Sequence, residues 1–419
     1  MMNQEKVLLV VLDHHQRTDK WLTEDIAEEL EELIKGCRGE VVEKLIVKGD
    51  HPVAATLIGS GKVHEIAEIC AASGIDTVVF SENLKGSQQR NLEETIKAKT
   101  IDRTQLILDI FARHAVTEEG KMQVELAQLE YNLPRLVGKG IVLSRPGGGI
   151  GTLGPGETKL EMDRRRISQR IGKLQKGLKE VAESRHIKRK KRKDKVVPMV
   201  SLVGYTNAGK STLLNRLTDA GQKTRDSLFT TLDPLARQLV LPNHQKVVLS
   251  DTVGFMHDLP HHLIESFKAT LEEVVEADLL LHVMDISHPN FFNRHESVKK
   301  VLKELGIHDK PVLMVLNKID RIEKPGLIER WQREVEHSVI VSAKAGLNID
   351  GLLEKIEELL MGLILNIEVT IPIDRMDLVN LAHKEGQVYS VKYYNDSIHL
   401  RAALPTTLAG QIYKYRIEE

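Results

Sequence analysis

The sequence predicts an α/β chain of several domains, built round a mostly parallel sheet with helices on both faces. Three observations lead there. The chain has 419 residues, room for about three domains. Short runs of branched apolar residues alternate with segments of helical spacing near the N-terminus, and again from Val196 to about Leu365. Between these two regions lie long amphipathic segments with no strand-like run. Apolar residues at 41% and charged residues at 28% exclude wholesale disorder.

The elements follow in order. Residues 6–12 read as a buried strand, Trp21–Ile34 as a helix with Leu22, Ile26, Leu30 and Leu33 on one face, and Val41–Val47 as a strand. A helix over Val63–Ala72, a strand over Ile75–Phe80, a helix over 88–98 and a strand edge at Thr100–Asp102 complete an N-terminal α/β subdomain, residues 1–112. In the next part, 113–195, Met122, Leu126, Leu129, Leu133 and Leu136 recur at four-three spacing, and Leu160, Ile167, Ile171, Leu174, Leu178 and Val181 form a second ladder. Two such helices joined by a Gly-rich loop predict an antiparallel helical hairpin running into a basic linker. Residues 196–366 read as a second α/β domain, and 367–419, with strands at Val388–Tyr394 and Ile398–Ala402, as a small α+β unit.

Net charge is -1 overall, but residues 156–195 hold sixteen Lys/Arg against six Asp/Glu. An acidic body with one basic arm points to a polyanion partner, with a solvated linker as the plainer reading. The two cysteines, Cys37 and Cys70, cannot build a disulfide framework or a Cys-rich metal site and fit a reducing compartment. The apolar run Val7–Leu12 ends at Asp13 and has no basic region before it, unlike a signal peptide. No run of about 18 apolar residues is present. A cytoplasmic protein without a membrane span is expected.

Chemistry concentrates in the second α/β domain. Gly204, Tyr205, Thr206, Asn207, Ala208, Gly209, Lys210 and Ser211 match the P-loop pattern, between the strand 197–203 and a helix at 210–218 that includes Thr212. The glycines let backbone amides curl round phosphate oxygens at a helix N-terminus. Lys210 is placed to neutralise the β- and γ-phosphates, and Ser211 to hold Mg²⁺. Asp251-Thr-Val-Gly254 follows 47 residues after Gly204. It offers Asp251 to the metal through water and the Gly254 amide to the γ-phosphate. Asn317, Lys318 and Asp320 follow an apolar strand. A carboxylate there accepts N1–H and the exocyclic amine of guanine, donors that adenine lacks in that arrangement, so GTP is expected over ATP. Ser342, Ala343 and Lys344 complete the base pocket. A loop threonine completes the metal sphere when the γ-phosphate is present, and spacing alone leaves Thr230 and Thr231 open.

Phe255 stands after Gly254, where some GTPases place a glutamine that orients water. Phenylalanine cannot do this, so another group positions the water or a partner completes the site. Asn207 is placed to help hold K⁺ against the phosphates. Gly59-Ser-Gly61-Lys62 lacks the spacing of a P-loop, and Gly149-Ile-Gly151-Thr-Leu-Gly154 lacks the βαβ context of a dinucleotide site. Adjacent histidines (His14/His15, His261/His262) point apart on a helix and do not share a metal.

Three stretches carry a closer likeness. Residues 147–166 (GGGIGTLGPGETKLEMDRRR), 204–212 (GYTNAGKST) and 251–274 (DTVGFMHDLPHHLIESFKATLEEV) resemble the Gly-rich signature, P-loop and switch II of the HflX family of translational GTPases, over roughly residues 1–365. The last 50 residues resemble only the variable C-terminal unit of bacterial members. The resemblance implies a GTPase that binds the 50S ribosomal subunit as its GTP form and splits stalled or idle 70S ribosomes, with hydrolysis allowing release; a monomer is expected. It makes Thr231 the magnesium threonine, and Lys210, Thr231 and Gly254 the catalytic set. It aims the loop at Gly147, Gly148 and Gly149 toward the peptidyl-transferase region. Two positions depart from the family: Leu153 stands where arginine is frequent before GPGE, and His257 where a basic residue is frequent.

RNA contacts are expected from Arg164, Arg165 and Arg166 and from Lys188, Arg189, Lys190, Lys191, Arg192 and Lys193. No aromatic residue lies in 156–195, so phosphate contact with folded RNA suits this arm better than base stacking. Two rival readings are an RNA-remodelling ATPase with a second, N-terminal nucleotide site, and a GTP-dependent scaffold for a protein partner.

Overall fold

The computed structural model describes residues 4–13, 21–49, 52–136, 159–193, 197–218, 235–258, 260, 263, 268–323, 326, 331, 333–335, 337–362 and 364–417. They fall into two compact units.

The first unit holds a four-stranded parallel sheet, order β2-β1-β3-β4, from β1 (Glu5–Asp13), β2 (Gly39–Lys48), β3 (Thr77–Phe80) and β4 (Lys99–Asp102). The crossovers are α1 (Thr23–Gly36), α2 (Ser60–Ser73) and α3 (Gly86–Ile96). Successive side chains of a strand point to opposite faces. Leu8, Val10 and Leu12 of β1 pack in one cluster with Val63, Ile66 and Cys70 of α2 and Leu92 and Ile96 of α3. Leu9 and Val11 are equally buried, on the face of α1. A run apolar at every position is what a strand covered on both sides requires.

One helix was not legible in the sequence: α4 (Arg103–His114) begins where Asp102, at the end of β4, caps the Gln105 amide at 2.9 Å. Its own face buries Leu106, Ile107, Ile110 and Phe111. The helix expected over 121–136 is α5 (Glu118–Asn132), capped by Thr117. Leu133–Leu136 forms a 3₁₀ turn, because Pro134 has no N–H to continue the α pattern. The second long helix, α6, runs from Lys159 to Lys193, and its residues up to Lys179 belong to this unit. It meets α5 through a bidentate Arg170–Glu125 pair at 2.6 and 2.7 Å and a Gln175–Glu130 bond at 3.2 Å. The ladder residues Ile167, Ile171 and Leu178 are half-buried on its covered side, and Leu174 is buried.

The second unit holds a six-stranded sheet, order β10-β9-β8-β5-β7-β6. Its strands are β5 (Met199–Gly204), β6 (Leu235–Val240), β7 (Lys246–Asp251), β8 (Leu279–Asp285), β9 (Val312–Asn317) and β10 (Ser338–Ile340). All neighbours are parallel except the β6–β7 hairpin. The helices α7 (Lys210–Thr218), α8 (Lys268–Glu276), α9 (Phe291–Glu304) and α10 (Ile349–Met361) complete this part. Leu213 and Leu214 of α7 and Leu352, Ile356 and Leu360 of α10 pack with Val200, Leu202, Leu281, Val283 and Val315 in its core. The same unit carries an antiparallel sheet, order β11-β13-β12, from β11 (Ile364–Pro372), β12 (Gln387–Tyr393) and β13 (Ser397–Pro405). The helices α11 (Met376–Glu385) and α12 (Thr406–Tyr413) pack against it. Among the described residues no helix is long and apolar enough to cross a membrane.

Candidate nucleotide site

The site forms at the C-terminal ends of parallel strands, where an open α/β sheet leaves a crevice. β5 runs straight into the loop 205–209, and α7 starts at Lys210. Asn207 takes φ 59°, a left-handed conformation that asparagine tolerates. Gly209, at φ +98°, passes so close to Asn317 that a Cβ there would collide with the Asn317 side-chain amide.

Lys210 is buried, and its amine donates to the carbonyls of Gly204 at 3.1 Å and Tyr205 at 2.8 Å. Burial pushes it down to about 8; Asp251 opposes the shift and Lys318 adds to it. Ser211, one residue on, donates through Oγ to Asp251 Oδ2 at 2.6 Å. Asp251 is fully buried at the end of β7, and its Oδ1 accepts the Thr252 amide at 2.9 Å. Thr252 is tied in turn to the Leu202 carbonyl at 2.6 Å. A hydroxyl and a carboxylate, both hard oxygen donors, therefore converge beside Lys210. That donor set suits Mg²⁺.

The opposite side is organised by Asn317 at the end of β9. Its Nδ2 donates to the Ala208 carbonyl at 2.9 Å, and its Oδ1 accepts the Ala343 amide at 3.0 Å. One side chain thus joins the P-loop to the loop after β10. Lys318 takes φ 68° and pairs with Asp285 at 2.7 Å. Ser342 donates to Asp320 Oδ1 at 2.5 Å, leaving Oδ2 as the further acceptor of that carboxylate. Lys344 is exposed, and its carbonyl, with that of Ala343, accepts from Arg216 of α7 at 2.7 and 3.1 Å.

Gly254 lies against Thr206 and Lys210: a Cβ there would meet Thr206 at 2.8 Å and the Lys210 amine at 3.1 Å. Phe255 is buried and in a β-bridge with Tyr205. The Thr206 amide donates to the Phe255 carbonyl at 2.7 Å. On the α9 side of the P-loop is a small recess, with room for about one water, lined by Tyr205, Thr206, His282, Asp285, Arg294 and His295. The rings of His282 and His295 stack there at 4.9 Å. Burial holds His282 well below its ordinary value, and His295, Lys210 and Lys299 push the same way.

The residues read as phosphate, metal and base contacts are thus brought together, apart from Thr231. That residue, with Gly147, Gly148 and Gly149, lies outside the described residues. Arg164, Arg165 and Arg166 are exposed on α6. Lys188–Lys193 also lie on α6, with their side chains outside the described set. Lys62 of the Gly59–Lys62 stretch pairs with Glu65 at 2.7 Å. Sequence reasoning missed Arg216, Asp285 and the histidine pair. A charged or polar residue inside an otherwise apolar strand, as in LLLHVMD, is the signal that marks His282 and Asp285.

Four family models match the chain in order. They are described as GTP-binding GTPase N-terminal over residues 24–112, GTP-binding GTPase Middle Region over 114–192, 50S ribosome-binding GTPase over 199–318, and HflX C-terminal domain over 327–414. GTPase HflX of Lacrimispora saccharolytica is 45% identical over 98% of this chain and 96% of its own. GTPase HflX of Caldanaerobacter subterraneus is 43% identical over 99% and 94%. GTPase HflX of Escherichia coli K12 is 44% identical over 84% and 83%. A GTP-binding protein from Sulfolobus solfataricus, solved with GDP, is 28% identical over 85% of this chain and 98% of its own, with a TM-score of 0.44. With full-length relatives of this identity, the chain belongs to the HflX family of GTPases.

Proposed function

We propose that this GTPase binds the large ribosomal subunit in its GTP form, splits stalled or idle 70S ribosomes, and lets go on hydrolysis. The observation that carries the reading is the Asn317 clasp. It ties Ala208 of the P-loop to Ala343 of the loop after β10, which supports one register for a phosphate loop and a guanine pocket, and both Ala208 and Asn317 lie within residues 199–318, matched by a model described as a 50S ribosome-binding GTPase. The basic composition of 156–195, sixteen Lys/Arg against six Asp/Glu, supports a nucleic-acid partner, with affinity falling steeply in salt.

In this reading the amides of the P-loop and the N-terminus of α7 cradle the phosphates. Lys210 neutralises charge on the β- and γ-phosphates, and the Gly254 amide meets the γ-phosphate. Asp320, braced by Ser342, selects guanine. Ser211 holds Mg²⁺ directly, Asp251 through water, and Thr231 joins them in the GTP form; Asn207 holds K⁺ beside the phosphates. When bound, the magnesium ion supplies positive charge to the phosphate oxygens. With Phe255 in place of a water-orienting side chain, turnover is slow until the ribosome completes the site. Catalysis is then positioning and charge neutralisation.

The test is a sucrose-gradient profile of purified 70S ribosomes incubated with the protein and GTP, GDP or a non-hydrolysable analogue. Subunits are expected to accumulate with GTP and the analogue, and not with GDP. Profiles identical in all three contradict the proposal.

A further inference from the structure

We propose that Tyr205 is a positioning residue which latches Gly254–His257 onto the P-loop in an arrangement closed to a γ-phosphate, and so biases this GTPase toward GDP. The proposal rests on the nucleotide assignment of Gly204–Ser211.

Three hydrogen bonds among the described residues make the latch. The Phe255 amide donates to the Gly204 carbonyl at 3.1 Å, and the Thr206 amide donates to the Phe255 carbonyl at 2.7 Å. The third belongs to a side chain: the His257 amide donates to the Tyr205 phenol oxygen at 2.7 Å. The phenol is itself well held. Tyr205 is buried, and the Arg294 guanidinium lies over its ring at 4.9 Å. The segment it grips is apolar and buried, with Phe255 and Met256 both 1% exposed.

The consequence lies at Gly254. A γ-phosphate gripped by Lys210 on one side and by the Gly254 amide on the other must fit between them. In the latched arrangement even a methyl group added at Gly254 meets the Lys210 amine at 3.1 Å and Thr206 at 2.8 Å. That contact brings Gly254 up against Lys210 and Thr206, and a γ-phosphate seated between the two groups presses on it. GDP makes no such demand. GTP must therefore move Gly254 away from Lys210, and the bonds from Thr206 to Phe255 and from His257 to Tyr205 stretch or break with it. Of the three latch bonds the phenol bond is the one made by a side chain, so there the choice of residue tunes the bias. A net neutral hydrogen bond corresponds to about a two- to tenfold change in an equilibrium constant.

Tyr205→Phe removes that bond and keeps the ring, its packing and the Arg294 contact. His257→Pro removes the same bond from the donor side. GDP and a non-hydrolysable GTP analogue are each competed against a fluorescent GDP on the full chain with Mg²⁺, and thermal melting is followed alongside. Both variants are expected to raise the affinity for the analogue relative to GDP by about two- to tenfold. A merely structural hydroxyl lowers the melting temperature without moving that ratio. An unchanged ratio in a folded Tyr205→Phe protein, or one shifted toward GDP, overturns the proposal. Wild-type protein that binds neither nucleotide overturns the nucleotide assignment, which is a separate failure.

Discussion

Asn317→Ala is the substitution whose effect follows most directly from the geometry. Asn317 is 2% exposed and makes two bonds, to the Ala208 carbonyl at 2.9 Å and from the Ala343 amide at 3.0 Å. Truncation leaves one acceptor and one donor without their partner. Each such group costs about 1–3 kcal/mol when it stays buried. Two of them give about 2 kcal/mol at the low end, or roughly a 30-fold loss, since about 1.4 kcal/mol is a factor of ten. The loss falls on nucleotide binding, because the phosphate loop and the base loop are no longer held in one register. Equilibrium titration with a fluorescent GDP analogue, alongside a thermal melt, reads the effect. Asn317→Asp is the informative control. It keeps an acceptor for the Ala343 amide but sets a carboxylate oxygen against the Ala208 carbonyl, so it should not restore affinity. A Kd within about twofold of wild type for Asn317→Ala, or rescue by aspartate, refutes the clasp.

Two further predictions concern pH. Free Lys210 titrates near 8, and bound phosphates raise it, so nucleotide binding takes up a proton once the free amine is neutral. Affinity is expected to fall about tenfold between about pH 7 and pH 9, and a flat profile by calorimetry contradicts this. His282 is held neutral by burial, and His295 is lowered by burial too, with Glu296 opposing and Lys299 reinforcing. A depressed histidine leaves the folded state with fewer protons than the unfolded one once pH drops below the unfolded value, about 6.5. Stability is therefore expected to be lost progressively as pH falls from there toward the folded values. His282→Leu is expected to flatten that acid limb in urea melts; an equally steep limb in the variant contradicts the assignment.

How far the fold could be read from the chain depended on the range of the interactions. The P-loop strand and the helix at Lys210–Thr218 came through because local periodicity and glycine placement decide them. The face of α1 also followed from spacing, with Ile26, Leu30 and Leu33 all buried. Leu22 did not follow: it lies before the helix and is exposed. The helix α4 escaped because its first residue abuts a strand with no intervening turn, and only the Asp102 cap marks the change. In the site, residue types were legible from motifs, but the clasps were not. Asp285 meets Lys318 from 33 positions away, and Tyr205 meets His257 from 52. Neither pairing has a local signature, because each is made by the sheet bringing strand ends together. Phe255 was legible as a residue that cannot orient water, but its backbone bridge to Tyr205 was not.

In the proposed function the terminal phosphate of GTP governs engagement of the large subunit. Affinity of the full-length protein for purified 50S subunits, measured with a non-hydrolysable GTP analogue, with GDP and without nucleotide, tests it most directly. Tight binding with the analogue alone is the predicted result, and equal binding in all three states contradicts it.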